Sequence, residues 1–243
     1  MKRVLITGAS SGIGAQLARD YADSGWQVVA CGRDSARLAQ IQQHSARIET
    51  LAFDATEPEA VQTAMASLTS MPDLIILNAG NCEYIERGQI DAALFRRVFD
   101  INLFGVLHVI EALQSRFVAG THLVLVGSSA AYMPLPRAEA YGASKAALAY
   151  LAHTLAVDLA AQQVDVSLVC PGFVATPLTD KNDFAMPMRV SVEVASQAMR
   201  RGIAQRRSEI HFPRRFTGLL KLIRLLPIGW QRALALRMTG SNR

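Results

Sequence analysis

The chain has 243 residues, room for one large domain or two small ones. With 51% hydrophobic and 19% charged residues it cannot be a disordered polymer, and no uninterrupted apolar stretch is long enough for a membrane-spanning helix. Net charge is +5 but uneven: residues 200–243 hold eleven Lys/Arg against one acid, Glu209, a balance of +10, while residues 1–199 hold fourteen against nineteen acids, a balance of −5.

The opening M-K-R-V-L-I-T-G has an apolar run too short for a signal peptide, and the three cysteines, Cys31, Cys82 and Cys170, give neither a disulfide framework nor a metal spacing. A reducing compartment, the cytoplasm, is expected. Continuous apolar runs of β type follow one another at 3–8, 27–32, 47–54, 73–80, 122–128, 164–172 and, more weakly, 209–213. Continuity rather than alternation predicts strands buried on both faces. Helical patterns at 13–24, 34–44, 57–68, 102–117 and 140–162 separate them. This order predicts a single-domain α/β fold over residues 1–213, a doubly wound parallel sheet of about seven strands with helices on both faces. Residues 214–243 read as a basic helical extension.

The first strand ends in T-G-A-S-S-G-I-G (7–14) and a helix follows. Gly8, Gly12 and Gly14 stand where a chain turns tightly, lets a phosphate approach and packs a helix on a strand. Ser10, Ser11 and Ile13 lie at the helix start, whose free N–H groups suit a pyrophosphate. The same spacing also occurs in ligand-free turns, so the strand before and the helix after carry the dinucleotide reading. At the end of the second strand, Arg33 favours the 2′-phosphate of NADP, since guanidinium pairs with phosphate. Asp34 beside it leaves NAD as the alternative, or serves only as a helix cap.

In register with the strands come Asp54 after the third, N-A-G (78–80), Asn102 in D-I-N-L-F-G, Ser128, Y-G-A-S-K (141–145) and P-G-F-V-A-T (171–176). With the glycine turn, this series resembles the short-chain dehydrogenase/reductase family, and the match runs in order from residue 3 to about 213. The resemblance implies a Rossmann-type fold and roles at matching positions. Asp54, with Ala55 beside it, would meet the adenine. Asn78, Ala79 and Gly80 would lie against the adenosine ribose. Pro171, Gly172, Val174 and Thr176 would hold the nicotinamide carboxamide. Asn102 would support a water-linked proton relay. Where the family often has a second asparagine before N-A-G, Leu77 stands here, a position that mainly stabilises the central strand.

Reducing a carbonyl requires a hydroxyl within hydrogen-bond reach of the developing alkoxide. Tyr141 and Lys145 are one helical turn apart and share a face. The ammonium is expected to lower the phenol's pKa and to hold the nicotinamide ribose, while Ser128 polarises the substrate oxygen. Each residue alone is more often structural: a Tyr–Lys pair is common, Asn102 suits a helix cap, and Ser129 competes with Ser128. The combination makes Asn102, Ser128, Tyr141 and Lys145 the predicted catalytic group of an NAD(P)-dependent oxidoreductase acting on a carbonyl/alcohol pair. The different-class alternative is a catalytically silent nucleotide-binding sensor or membrane-surface scaffold.

After Thr176, a loop with Phe184, Met186 and Met188, together with Phe173, is expected to favour an apolar or lipid-like substrate. Helices 102–117 and 140–162 resemble the family's subunit-contact helices, which implies a homodimer or homotetramer. In the tail, 216–226 and about 229–238 read as basic amphipathic helices. Three roles compete there: contact with an anionic membrane face, packing as a lid or subunit interface, and nucleic-acid binding. The leucine content and the lack of an aromatic stacking series speak against the last.

Overall fold

Period-2 alternation along the strands builds two cores. In the computed structural model, which describes residues 1–86 and 88–239, Val4, Ile6, Val28, Ile76 and Val124 face one side of the sheet. Leu5, Val29, Ile75, Leu77, Leu123 and Leu125 face the other. All of these side chains are essentially inaccessible to water. A strand apolar on both faces must be covered on both, which forces three layers.

The strands are β1 (Arg3–Ile6), β2 (Gln27–Gly32), β3 (Ile48–Ala52), β4 (Leu74–Leu77), β5 (His122–Val126), β6 (Asp165–Pro171) and β7 (Glu209–Phe212). They form one sheet in the order β3-β2-β1-β4-β5-β6-β7, every neighbouring pair parallel. Helices α1 (Gly12–Asp23), α2 (Ser35–Gln42) and α7 (Val192–Ala204) cover one face through Leu17, Leu38, Met199 and Ile203. The other face meets α3 (Pro58–Ala66), α5 (Gly105–Gln114), α6 (Glu139–Asp158) and α8 (Arg214–Arg224) through Met65, Leu113, Leu148 and Leu220. The chain winds outward from β1 to β3, then returns to place β4 on the other side of β1. The crevice at that reversal, beyond the carboxyl ends of β1 and β4, is where such sheets bind ligands.

The predicted doubly wound sheet is the observed one. The strand runs in the sequence overshoot because T-G, N-A-G and G-S belong to the turns at the carboxyl edge, where the site is built. Two helices were not anticipated. One is α4 (Ala92–Phe99), which joins α5 through a π-helical turn at Asp100–Phe104, so the pattern at 102–117 covers only the end of a longer helical rod. The other is α7. Its Ala195, Met199 and Ile203 recur every fourth residue and are buried, and the Ser191 hydroxyl caps its start by accepting from the Val194 amide. Gly202 weakens the helical signal, and a β-carbon there would meet Ile210 at 2.6 Å, so close packing of α7 on β7 requires it. The tail forms α8 and α9 (Ile228–Thr239), broken around Pro227 as expected. Phe216, Thr217 and Leu220 of α8 are buried, and the Thr217 hydroxyl lies 2.8 Å from His211 Nδ1 and donates to the Pro213 carbonyl.

Candidate active site

The ends of β1 and β4 are laced together. Thr7 Oγ1 accepts from the Asn78 and Ala79 amides at 3.0 and 3.1 Å, and Asn78 Nδ2 donates to the Thr7 and Gly8 carbonyls. Gly8 and Gly12 have φ of +67° and +55°, the left-handed region that glycine occupies without strain. A β-carbon on Gly14 would lie 2.3 Å from the Gly8 carbonyl oxygen, so only glycine lets α1 start this close to the turn. At that start Ser11 makes no side-chain cap, which leaves the amides of the first helical turn directed at the crevice.

A cleft of about 790 Å³ runs from this turn along the carboxyl edge. Gly8, Ser10, Ser11, Gly12, Ile13, Arg33, Asp54, Ala55, Asn78, Ala79 and Gly80 line it, as do Ser128, Tyr141, Lys145, Pro171, Gly172, Val174 and Thr176. Two predicted residues stand behind the wall rather than on it. Gly14 is buried against Gly8, and Asn102 is wholly inaccessible inside the π-turn. The cleft also takes in Thr7, Gly127, Pro177, Leu178, Arg97 and Glu83, none of them anticipated. The Glu83–Arg97 ion pair at 2.8 Å needs α4, which the sequence pattern did not reveal, to bring its arginine there.

Asp54 accepts from the Thr56 amide at 2.9 Å and its hydroxyl at 2.8 Å, with Arg33 at 3.4 Å. Partial burial pushes its carboxyl up, but these bonds outweigh that and hold it below the ordinary value. Arg33 is 82% exposed on the cleft wall. Asp34 is not on the wall: its carboxylate caps α2 by accepting from the Arg37 amide at 3.0 Å.

At the other end, Tyr141 and Lys145 rise from α6 on one face. Tyr141 and Ser128 share this end of the cleft wall, and the Ser128 hydroxyl accepts from the Ala130 amide at 3.1 Å. Lys145 Nζ lies 5.9 Å from the Tyr141 ring centroid and donates to the Val126 carbonyl at 2.9 Å. Burial lowers the Lys145 pKa to about 8. The expected lowering of the tyrosine does not appear. Burial raises the Tyr141 phenol, the neighbouring Cys82 adds to the rise, and Ser128 only partly offsets them. Ser129 is buried off the wall, which removes it as a rival to Ser128. Asn102 Oδ1 accepts from the Asn81 amide at 2.7 Å, and Nδ2 donates to the Asn81 carbonyl and the Ser144 hydroxyl at 2.9 and 3.0 Å. It therefore pins the chain after Gly80 to the buried side of α6, directly behind Lys145.

On the substrate side the loop after Thr176 is held by rings. Phe184 meets Tyr84 edge-on at 5.4 Å and Phe173 at 6.1 Å, and Phe173 meets Phe216 of α8 at 5.6 Å. Arg137 bonds Asp183 at 2.7 Å and also pairs with Glu86. Phe173 and Phe184 thus brace the loop rather than line the cleft, and Met188 is 55% exposed. Cys170 is fully buried in β6.

The chain's likenesses agree with this geometry. The family model described as short chain dehydrogenase matches residues 2–186. Over 235 residues the chain is 31% identical to an uncharacterized oxidoreductase of Myxococcus xanthus, covering 93% of each. It is 33% identical over 186 residues to sulfoacetaldehyde reductase 2 of Chromohalobacter salexigens, covering 72% of this chain and 74% of that one. Among solved structures, a short-chain dehydrogenase from Sphingobium yanoikuyae in complex with NADPH superimposes with a TM-score of 0.80 at 25% identity, covering 100% of this chain and 97% of that one.

Proposed function

We propose, from the premise that this chain belongs to the short-chain dehydrogenase/reductase family, that it interconverts a carbonyl and a primary or secondary alcohol with NADP, Tyr141 acting as general acid and base. The chain is an oxidoreductase of nucleotide-binding α/β fold. The observation that carries the finer reading is the convergence of Ser128, Tyr141 and Lys145 at one end of a cleft whose other end is a glycine turn with free helix amides. The glycine turn suits a phosphate-bearing cofactor: β-carbons at Gly8 or Gly12 would meet Ala79 at 2.9 Å or Thr176 at 3.1 Å, so both positions must stay bare and leave the backbone amides uncovered.

NADP, when bound, supplies or accepts the hydride. The remaining work falls to the chain's own groups. Ser128 and Tyr141, together on the cleft wall, present two hydroxyls to one substrate oxygen. In reduction Tyr141 gives its proton to that oxygen, and in oxidation it takes the proton back. Lys145, with its pKa near 8, is mostly charged at neutral pH, and its ammonium would hold the nicotinamide ribose hydroxyls beside Tyr141. Asn102 holds the wall behind Lys145, where the water-linked relay would pass.

Preference for NADP is supported by Arg33 on the cleft wall and by Asp34 being used as the α2 cap. An acid facing the ribose would repel the 2′-phosphate, and this one does not line the cleft. An apolar substrate is supported by Leu178 and Pro177 on the cleft wall. A homodimer or homotetramer is supported by exposed Phe104, Tyr150 and Val157 on the helices expected to form subunit contacts.

The test is NADPH oxidation across a panel of soluble and lipid-like aldehydes and ketones, with Tyr141→Phe as control. Turnover should fall at least about a hundredfold in the variant while NADPH binding persists. Turnover equal to the unaltered chain would overturn the mechanism.

A further inference from the structure

We infer that the outer face of α8 and the turn leading into α9 form a docking surface for an anionic lipid bilayer. This goes beyond the oxidoreductase reading and does not depend on it. Phe216, Thr217 and Leu220 seat α8 on the body, and Lys221 is engaged with Glu209 at 2.7 Å. The opposite side is not required for that seating. There Arg215, Leu219, Leu222 and Leu226 follow at intervals of four, three and four residues, which aligns them along one stripe. Leu219, Leu222 and Leu226 are 54%, 65% and 40% exposed. Leu225, Ile228, Trp230 and Leu236 extend the apolar surface past the stripe.

Single exposed apolar residues are ordinary, but a concentration of them calls for an occupant. Seven of the fifteen exposed large apolar side chains among the described residues fall within positions 219–236. Charge identifies the occupant. Arg214, Arg215, Arg224, Arg232 and Arg237 are all exposed, and none is in an ion pair among the described residues. No aspartate or glutamate occurs after Glu209. A second copy docking by this same face would set arginines against arginines with no acid to separate them. A nucleic acid would satisfy the arginines but leave the leucines in water, and one tryptophan makes no stacking series. An anionic bilayer answers both: leucines and the Trp230 ring enter the headgroup boundary, and guanidinium groups meet lipid phosphates. In α9 the apolar and basic side chains are spread around the helix, so α8 and residues 225–230 carry the insertion while α9 flanks it. The buried side of α8 touches Phe173, which braces the substrate-side loop, so docking would hold that loop beside the lipid.

Because α8 contributes Phe216 and Leu220 to the core, point substitutions in the full chain are the appropriate test rather than truncation. The full chain should co-sediment with vesicles of phosphatidylcholine and phosphatidylglycerol, but not with phosphatidylcholine alone, and added salt should release it. In a Trp26→Phe background, Trp230 emission should shift to the blue on binding. Leu219→Gln with Leu222→Gln, and separately Arg215→Gln with Arg224→Gln, should each weaken binding about tenfold or more, with thermal unfolding unchanged. Failure of the unaltered chain to bind anionic vesicles, or equal binding to phosphatidylcholine alone, would overturn the inference. So would leucine variants that dissociate an oligomer without vesicle binding, which would make the face a subunit interface. Binding to a DNA duplex in place of vesicles, lost with the arginines, would assign the face to nucleic acid instead.

Discussion

Replacing Gly14 by alanine sets two opposed effects against each other. Gly14 lies in the first turn of α1, and alanine there gains about 1 kcal/mol of helix propensity over glycine. Against that, the new β-carbon would sit 2.3 Å from the Gly8 carbonyl oxygen and 2.7 Å from Asn78 Nδ2. Gly8 O is backbone, and Asn78 is fixed by its bonds to Thr7 and Gly8, so neither can rotate aside. Relief requires the glycine turn to move by most of an ångström, and overpacking of this kind costs about 1–3 kcal/mol or more. The clash should win by about 1–2 kcal/mol, lowering Tm by roughly 2–8 °C in a chain of this size. Since the displaced atoms form the proposed phosphate cradle, the Kd for NADPH should rise at least about tenfold, equivalent to about 1.4 kcal/mol. Gly218 in α8 is the internal control, because a β-carbon there meets nothing within 4 Å. The same substitution should raise stability there by about 0.5–1 kcal/mol. Thermal unfolding and an NADPH fluorescence titration read both. A Gly14→Ala chain as stable as the unaltered one, with NADPH affinity within twofold, would refute the steric reasoning.

Arg33→Ala should weaken NADPH binding about ten- to a hundredfold and leave NADH within about threefold, measured by titration, because the lost guanidinium is matched only to the 2′-phosphate; equal losses would remove the proposed basis of preference. His122 is buried and 2.7 Å from the Ser167 hydroxyl, and burial together with Arg206 lowers its pKa to about 4. Its folded value lies below the unfolded one of about 6.5, so the unfolded chain takes the proton first. The contribution, up to about 3 kcal/mol, is present above pH 6.5 and lost as pH falls towards 4. Tm should decline across that window, and His122→Gln should flatten the decline. Asn102→Ala strips partners from the partly buried Asn81 amide and carbonyl, a loss of about 1–3 kcal/mol readable in denaturant unfolding. An unchanged midpoint would mean that water replaces the side chain.

The sequence by itself determined whatever depends on near neighbours along the chain. Buried strands are legible as continuous apolar runs, the glycine turn as a strand–helix junction, and the Tyr141–Lys145 face as one helical turn. These are properties of backbone period and reach. The missed elements had weak local signals: α7 carries Gly202 for the sake of Ile210, and α4 leads into a π-turn that shifts the helical phase. Tertiary structure alone decided the rest. Asn102 meets Ser144 across 42 residues, Asp34 turns to α2 while Arg33 stays on the cleft, and Tyr141 is raised rather than lowered. The tail is likewise divided into a buried side and an exposed one only once α8 has a body to pack against. A side chain's pKa and its partners follow from everything that folding brings around it, and desolvation sums over atoms distant in sequence; no local pattern carries that sum.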